Sequence, residues 1–206
     1  MDKSSLVSRL QNYDWRLAEK CTEKVLSDFQ RMHFARYYAN PFPLRKSAVM
    51  ILLYVRAGRM KTIMIERTDI GVHAGQVSFP GGKCEPDDVD GICTAIRETA
   101  EEIGILVSRC DVVGELPPVK VPVSSFEIFP VVAFVDGVGD FAKSEDEVKR
   151  VMEVDMKELS ESLSDREVTV AGKQYEVPSY LCENSVVWGA TAMVVAELLE
   201  ALGADL

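Results

Sequence analysis

Between Ala48 and Val55 the sequence reads Ala-Val-Met-Ile-Leu-Leu-Tyr-Val, a nearly continuous apolar run. Side chains of a strand alternate between its two faces, so a run without alternation predicts a strand buried on both sides. Gly58 marks a turn after it, and Thr62-Ile63-Met64-Ile65 reads as the hairpin partner. The run is far shorter than the roughly 18 apolar residues of a membrane span, and no other stretch reaches that length.

Around this hairpin the pattern alternates between helix and strand. From Ser4 to about Tyr38 the apolar residues Leu6, Leu10, Trp15, Leu17, Val25, Phe29 and Phe34 are spaced for one or two helices, which Pro41 and Pro43 end. Val112 to Leu116 reads as a short strand. Phe126 to Val135 reads as a long one, with Pro130 inside it, which predicts a sheet edge or a bulge. Asp136 to Asp146, with four acids and two glycines, is expected to be a surface loop. A strand and a short helix follow over Val148 to Leu163, then a hairpin around Ala171-Gly172-Lys173. A helix from Gly189 to Leu202 closes the pattern, with Thr191, Val195, Leu198 and Leu202 on one packed face. The absence of repeats or a linker in 206 residues favours one mixed α/β domain.

The formal net charge is −10, which argues against a nucleic-acid surface, since phosphate neutralisation needs clustered Lys and Arg. It leaves room for a small nucleotide neutralised by a metal. Five scattered cysteines without CxxC spacing indicate neither a disulfide framework nor a zinc ribbon, and fit a reducing cytosol. The polar N-terminus does not read as a signal peptide, so the expected location is cytoplasmic, with no membrane partner.

The chemistry concentrates between His73 and Gly104. A Gly81-Gly82 turn leads through an Asp-rich segment into a helix whose Glu98, Glu101 and Glu102 fall within little more than one turn. Ile92, Ile96, Thr99, Ala100 and Ile103 share its core side, while Glu98 and Glu102 lie about 40° apart on another. Like charges at i,i+4 cost a few tenths of a kcal/mol, and acids in the last turn oppose the helix dipole by roughly 0.3–1 kcal/mol each. Gly104, a C-cap by sequence, puts the glutamates there. Arg97 offsets part of this by pairing with Glu101; for the rest, the alternatives are a solvated acidic face and, as the simplest explanation, a hard divalent cation with oxygen ligands.

Gly82, Arg97, Glu98, Glu101, Glu102 and Gly104 resemble the Nudix box, GX5EX7REUXEEXGU. Thr99 takes a usually aliphatic position; Asp88 replaces the first Glu, and eight rather than seven residues separate it from Arg97. The element His73-Ala-Gly-Gln-Val-Ser-Phe-Pro-Gly-Gly82 resembles the coenzyme A pyrophosphatase branch, whose Gly-x-x-x-Phe-Pro-Gly-Gly is matched by Gly75 and Phe79 to Gly82. Arg67 stands near the arginine that opens that element, and a second arginine is replaced at about Gly71. The likeness runs from about Ala48 to Leu199.

The resemblance implies a Nudix-type α/β/α sandwich with a mixed sheet over residues 46–206; residues 1–45, outside the likeness, are expected from their apolar spacing to form an N-terminal helical extension packing on it. It implies Mg²⁺ or Mn²⁺ held first by Glu98 and Glu102, then by Glu101, with the Gly82 carbonyl as a further candidate, and Arg97 orienting the glutamates. Glu98 and Glu147 are the alternatives for the general base. Arg67, His73, Gly75, Ser78, Phe79, Gly81 and Gly82 are the expected substrate-binding residues, with a structural role open for His73 and a core role for Phe79. The implied reaction is hydrolysis of coenzyme A or acyl-CoA to 3′,5′-ADP and 4′-phosphopantetheine. ADP-ribose or NADH hydrolysis and non-catalytic nucleotide binding are the rivals, and a homodimer is the family expectation.

Overall fold

The computed structural model describes residues 2–70, 74–170 and 172–203, with the backbone alone at 15, 18 and 19. In chain order the helices are α1 (Lys3–Asn12), α2 (Ala18–Glu23), α3 (Asp28–Ala39), α4 (Gly91–Ile103), α5 (Met156–Glu161) and α6 (Gly189–Leu202). The strands are β1 (Arg45–Arg56), β2 (Arg59–Arg67), β3 (Val77–Ser78), β4 (Gly81–Lys83), β5 (Val112–Glu115), β6 (Val119–Val121), β7 (Phe126–Phe134), β8 (Val148–Asp155), β9 (Ser164–Val170), β10 (Lys173–Cys182) and β11 (Ser185–Val187).

β1 is covered on both faces. Ala48, Met50, Leu52 and Tyr54 pack with Ala95 and Ile103 of α4, while Ile51 and Leu53 pack with Val195, Leu198 and Leu202 of α6. The result is an α/β/α sandwich. Its sheet is mixed: β1 runs parallel to β7 and antiparallel to β2 and β4, and β8 lies antiparallel to β2. β9, β10 and β11 form a separate antiparallel sheet.

The β1–β2 hairpin then splits. The two strands pair only at Tyr54 to Arg56 against Arg59 to Lys61. Beyond that, β1 takes β4 as its partner and β2 takes β3. Phe79-Pro80-Gly81 therefore sits in the fork, where the Met50 N–H donates to the Pro80 carbonyl at 2.7 Å. The fork brings the glycine turn onto the face covered by α4.

Pro130 departs from expectation. β7 is an interior strand, with β1 along one side and β5 and β6 along the other, and its pairing to β1 runs unbroken from Phe126 to Phe134. The Pro130 carbonyl accepts from Leu116 N–H at 2.9 Å, so its nitrogen faces the same side, where Pro117-Pro118 separates β5 from β6. The missing donor falls opposite a gap in the ladder, which is how an interior strand tolerates it.

The N-terminal stretch forms three α-helices where the apolar spacing predicts one or two. Leu6 and Leu10 of α1 are buried, α1 packs on β5 and α6, and Arg9 donates through Nη1 to the Leu202 carbonyl at the end of α6.

Two features of this framework are open to test. The β1–β2 turn has positive φ at both central residues, Ala57 at 53° and Gly58 at 74°. Such type I′ turns favour Asn-Gly, and a left-handed alanine costs roughly 1 kcal/mol. Ala57→Asn is expected to stabilise the protein by about 0.5–1 kcal/mol, read as a higher denaturant midpoint at constant slope. A lower midpoint contradicts this account of the turn.

The second feature is Glu197 on α6, 3% exposed, whose Oε2 finds no hydrogen-bond partner among the described residues. Burial pushes its carboxyl up to about 8 from an ordinary 4.5. Between those values the folded chain keeps a proton that the unfolded chain has released, so stability falls as pH rises through the window. Glu197→Gln is expected to remove that slope and gain on the order of 2 kcal/mol at pH 8. Unfolding of both proteins at pH 5 and pH 8 checks it. A gain equal at the two values contradicts the assignment.

Candidate active site

α4 has well-defined ends. The Asp90 side chain accepts from Cys93 N–H at 2.9 Å as its N-cap, and Gly104, at φ 74°, is its left-handed C-cap. Thr94, Ala95, Thr99, Glu102 and Ile103 are the buried residues between them. The core side thus includes a carboxylate, Glu102, which the wheel places beside it.

The glycine turn closes against this helix. A Cβ at Gly81 would stand 2.6 Å from the Val49 Cα, and one at Gly82 would stand 2.5 Å from Glu98 Oε2. Gly81 admits no side chain because the β1 backbone fills the space, and a side chain at Gly82 would displace the Glu98 carboxylate.

Glu102 is 1% exposed at its side chain. Gly81 N–H donates to its Oε2 at 2.8 Å, and Arg67 Nη1 donates to its Oε1 at 3.2 Å. Burial pushes the carboxyl up to about 7; the Gly81 amide and the Arg67 charge oppose the rise, and the charges of Glu98 and Glu147 add to it. Glu98, 14% exposed at its side chain, is also shifted upward by burial. Arg97 opposes this, and Glu101 and Glu147 reinforce it.

Arg97 ties the helix to the preceding loop. Its guanidinium donates to Glu98 at 2.9 Å, to Glu101 at 3.0 Å, to Asp88 at 3.0 and 3.3 Å and to the Lys83 carbonyl at 3.0 Å. Asp88 also accepts from Glu85 N–H and Thr94 Oγ1, and the Arg97 guanidinium holds its carboxyl down at about 2. Asp88 is an anchor for Arg97 and for the loop, so the longer spacing before Arg97 is taken up without losing the contact.

The site residues expected from sequence separate into groups. Glu98 and Glu102 lie one turn apart against Gly81 and Gly82, whereas Glu101, 60% exposed at its side chain, turns outward to Arg97. Among the described residues no three of these carboxylates stand grouped at coordinating distance. Arg67 meets Glu102. Ser78 pairs with Ile65, which belongs to the α4-side core, while its neighbour Val77 packs on the α6 side, so Ser78 shares the α4 face.

Phe79 is 2% exposed in the core on the α6 side, so the expectation that it binds substrate is corrected: its ring has no surface on the cleft. Gly75, at φ 67°, donates its N–H to the Thr68 carbonyl at 3.1 Å. His73 and the replaced arginine position at Gly71 lie outside the described residues. Glu147 is exposed just before β8, and its carbonyl accepts from Thr68 N–H at 3.0 Å. Its charge reaches both Glu98 and Glu102. The Arg67 to Glu102 pair and the Asp88 anchor joined no reading of the sequence, because each depends on a contact between distant elements.

Comparison with known proteins gives this arrangement a family. The NUDIX domain profile matches residues 44–174, more than half of the chain. The Uncharacterized Nudix hydrolase NudL of Citrobacter koseri is 34% identical over 187 residues, covering 87% of this chain and 95% of its own. The protein of the same description from Shigella flexneri is 33% identical over 185 residues, with the same coverage. Among solved structures, a MutT/nudix family protein from Enterococcus faecalis superposes with a TM-score of 0.54 at 16% identity, over 89% of this chain and 71% of its own. A bifunctional NMN adenylyltransferase/ADP ribose pyrophosphatase from Francisella tularensis, complexed with AMP and a Mn ion, gives 0.52 at 14% identity, over 85% of this chain and 47% of its own. At these identities the structures establish the fold alone. The profile match and the full-length relatives establish more: the chain belongs to the Nudix family and is a hydrolase of phosphoanhydride bonds.

Proposed function

We propose that this chain hydrolyses the diphosphate of coenzyme A or acyl-CoA, releasing 3′,5′-ADP and (acyl-)4′-phosphopantetheine. The observation that carries the reading is the placement of the Gly75 to Gly82 segment: it enters the fork of the sheet, lends its Gly81 amide to Glu102 and sets Ser78 on the same face as Arg67. The element resembling the coenzyme A branch is thereby continuous with the acidic helix. The first 45 residues are taken as a helical extension, and 46–206 as the hydrolase domain.

The donor set fits Mg²⁺ or Mn²⁺. Glu98 and Glu102 are carboxylates raised by burial and by the charges of neighbouring carboxylates, and a cation relieves both penalties. Those two residues, with Glu101 after a side-chain turn and the Gly82 carbonyl, would hold it. When bound, the ion supplies charge neutralisation on the diphosphate and lowers the pKa of a coordinated water. Arg97 fixes the rotamer of Glu98. Arg67 and Ser78 face the phosphate side of the cleft. Glu147, exposed and across from α4, is the base that takes the water proton as oxygen bonds to phosphorus and the bridging P–O bond breaks. Glu98 is less suited to that role because Arg97 holds its carboxylate over Gly82.

Incubation with coenzyme A, acetyl-CoA, ADP-ribose and NADH, followed by product analysis, tests the substrate. Coenzyme A and its ester are expected to yield 3′,5′-ADP; turnover of ADP-ribose or NADH without coenzyme A contradicts the assignment. Glu102→Gln is expected to lose metal-dependent activity and to bind Mn²⁺ more weakly while retaining its fold. Glu147→Gln is expected to lower kcat by about 10²-fold or more with little change in KM. Full activity of either variant removes the role given to that residue.

A further inference from the structure

The last carbonyls of α4 have no partner within the helix, and the 136–147 loop supplies two of the missing donors. Ala142 N–H donates to the Ile103 carbonyl at 3.0 Å, and Ser144 N–H donates to the Glu102 carbonyl at 2.9 Å. The far end of the same loop is fastened to the end of β2. Thr68 N–H donates to the Glu147 carbonyl at 3.0 Å, and Thr68 Oγ1 donates to the Asp146 carbonyl at 3.1 Å. Val148 N–H returns to the Ser144 carbonyl at 2.9 Å, closing the turn that contains Glu147.

The loop lies so close to the helix end that Gly104 has no room for a side chain. A Cβ there would stand 2.6 Å from the Ala142 Cβ and 3.1 Å from both the Ala142 nitrogen and its carbonyl oxygen. The positive φ of Gly104 accounts for a glycine by helix capping alone, but the contact with Ala142 is an independent requirement. An added methyl group must push the loop away, breaking the Ala142 and Ser144 bonds and carrying Glu147 with it.

We infer that Gly104 is a positioning residue for catalysis: by letting Ala142 sit directly on the end of α4, it fixes the distance between the Glu147 carboxylate and Glu98 and Glu102. The metal-binding helix and the base-bearing loop are then one mechanical unit, joined through main-chain bonds. This rests on the assignment of Glu147 as general base. The seat explains how an exposed side chain on a long acidic loop can be held to the tolerance that proton transfer needs, where a misplacement of about 1 Å costs on the order of 10²-fold.

Steady-state kinetics of Gly104→Ala, Gly104→Asn and the double variant Gly104→Ala/Ala142→Gly test the inference on protein shown to unfold cooperatively. Gly104→Ala is expected to lose roughly ten- to a hundredfold in kcat with KM changed less than about threefold. Gly104→Asn should lose kcat as well, although asparagine tolerates the left-handed conformation. Removing the opposing methyl in the double variant should restore most of the lost kcat. Full activity of Gly104→Asn would mean that the backbone conformation alone matters, and the inference falls. It falls equally if Ala142→Gly fails to restore kcat. Glu147→Gln separates the two levels: full activity there removes the base assignment, whereas an inactive Glu147→Gln beside a fully active Gly104→Ala removes the seat alone.

Discussion

The carboxylate of Glu102 is held away from water between the Gly81 amide and the Arg67 guanidinium. Burying such a group costs several kcal/mol unless donors replace its hydration. Those donors come from two separate pieces of chain, the end of β2 and the glycine turn, and both must reach one side chain of α4. They can do so only because β1 and β2 part after three residue pairs and admit β3 and β4 between them. Had the hairpin stayed zipped, β1 and β2 would have filled the place of the turn. The split sheet is thus the geometric condition for the buried acid, and the buried acid locks the turn into the split.

Much of this was legible because it is local. The apolar run at Ala48 to Val55 requires cover on both faces, and the sandwich supplies it with α4 and α6. The acidic helix could be bounded from Asp90 and Gly104, residues whose capping chemistry acts within one turn. The i,i+4 geometry of Arg97 and Glu101 likewise needs nothing beyond the helix. The same local reading put Glu98 and Glu102 about 40° apart on one side of the helix, though it gave no sign that one would be nearly sealed from solvent.

The remainder turned on contacts between elements far apart in sequence. A proline in a strand signals a missing donor, but only the pairing of β7 with β5 and β6 shows that the missing donor faces a gap. The Phe-Pro-Gly-Gly segment carries an aromatic ring and an amide that serve opposite layers. A family pattern treats them as one unit, whereas the Phe79 ring packs in the core. Asp88 had looked like a misplaced box residue, since spacing alone does not reveal that the loop bends to bring it onto Arg97.

The contact between Arg9 and the Leu202 carbonyl joins the two ends of the described chain. It has a consequence for the order of assembly. During synthesis α1 emerges before the sheet, yet one of the surfaces it packs on, α6, emerges after it. The sheet, the acidic helix and the glycine turn can associate while α1 still lacks that surface, since their strand pairings lie between residues 45 and 155. Docking of α1 on α6 therefore waits until all the sequence between the two helices has been made.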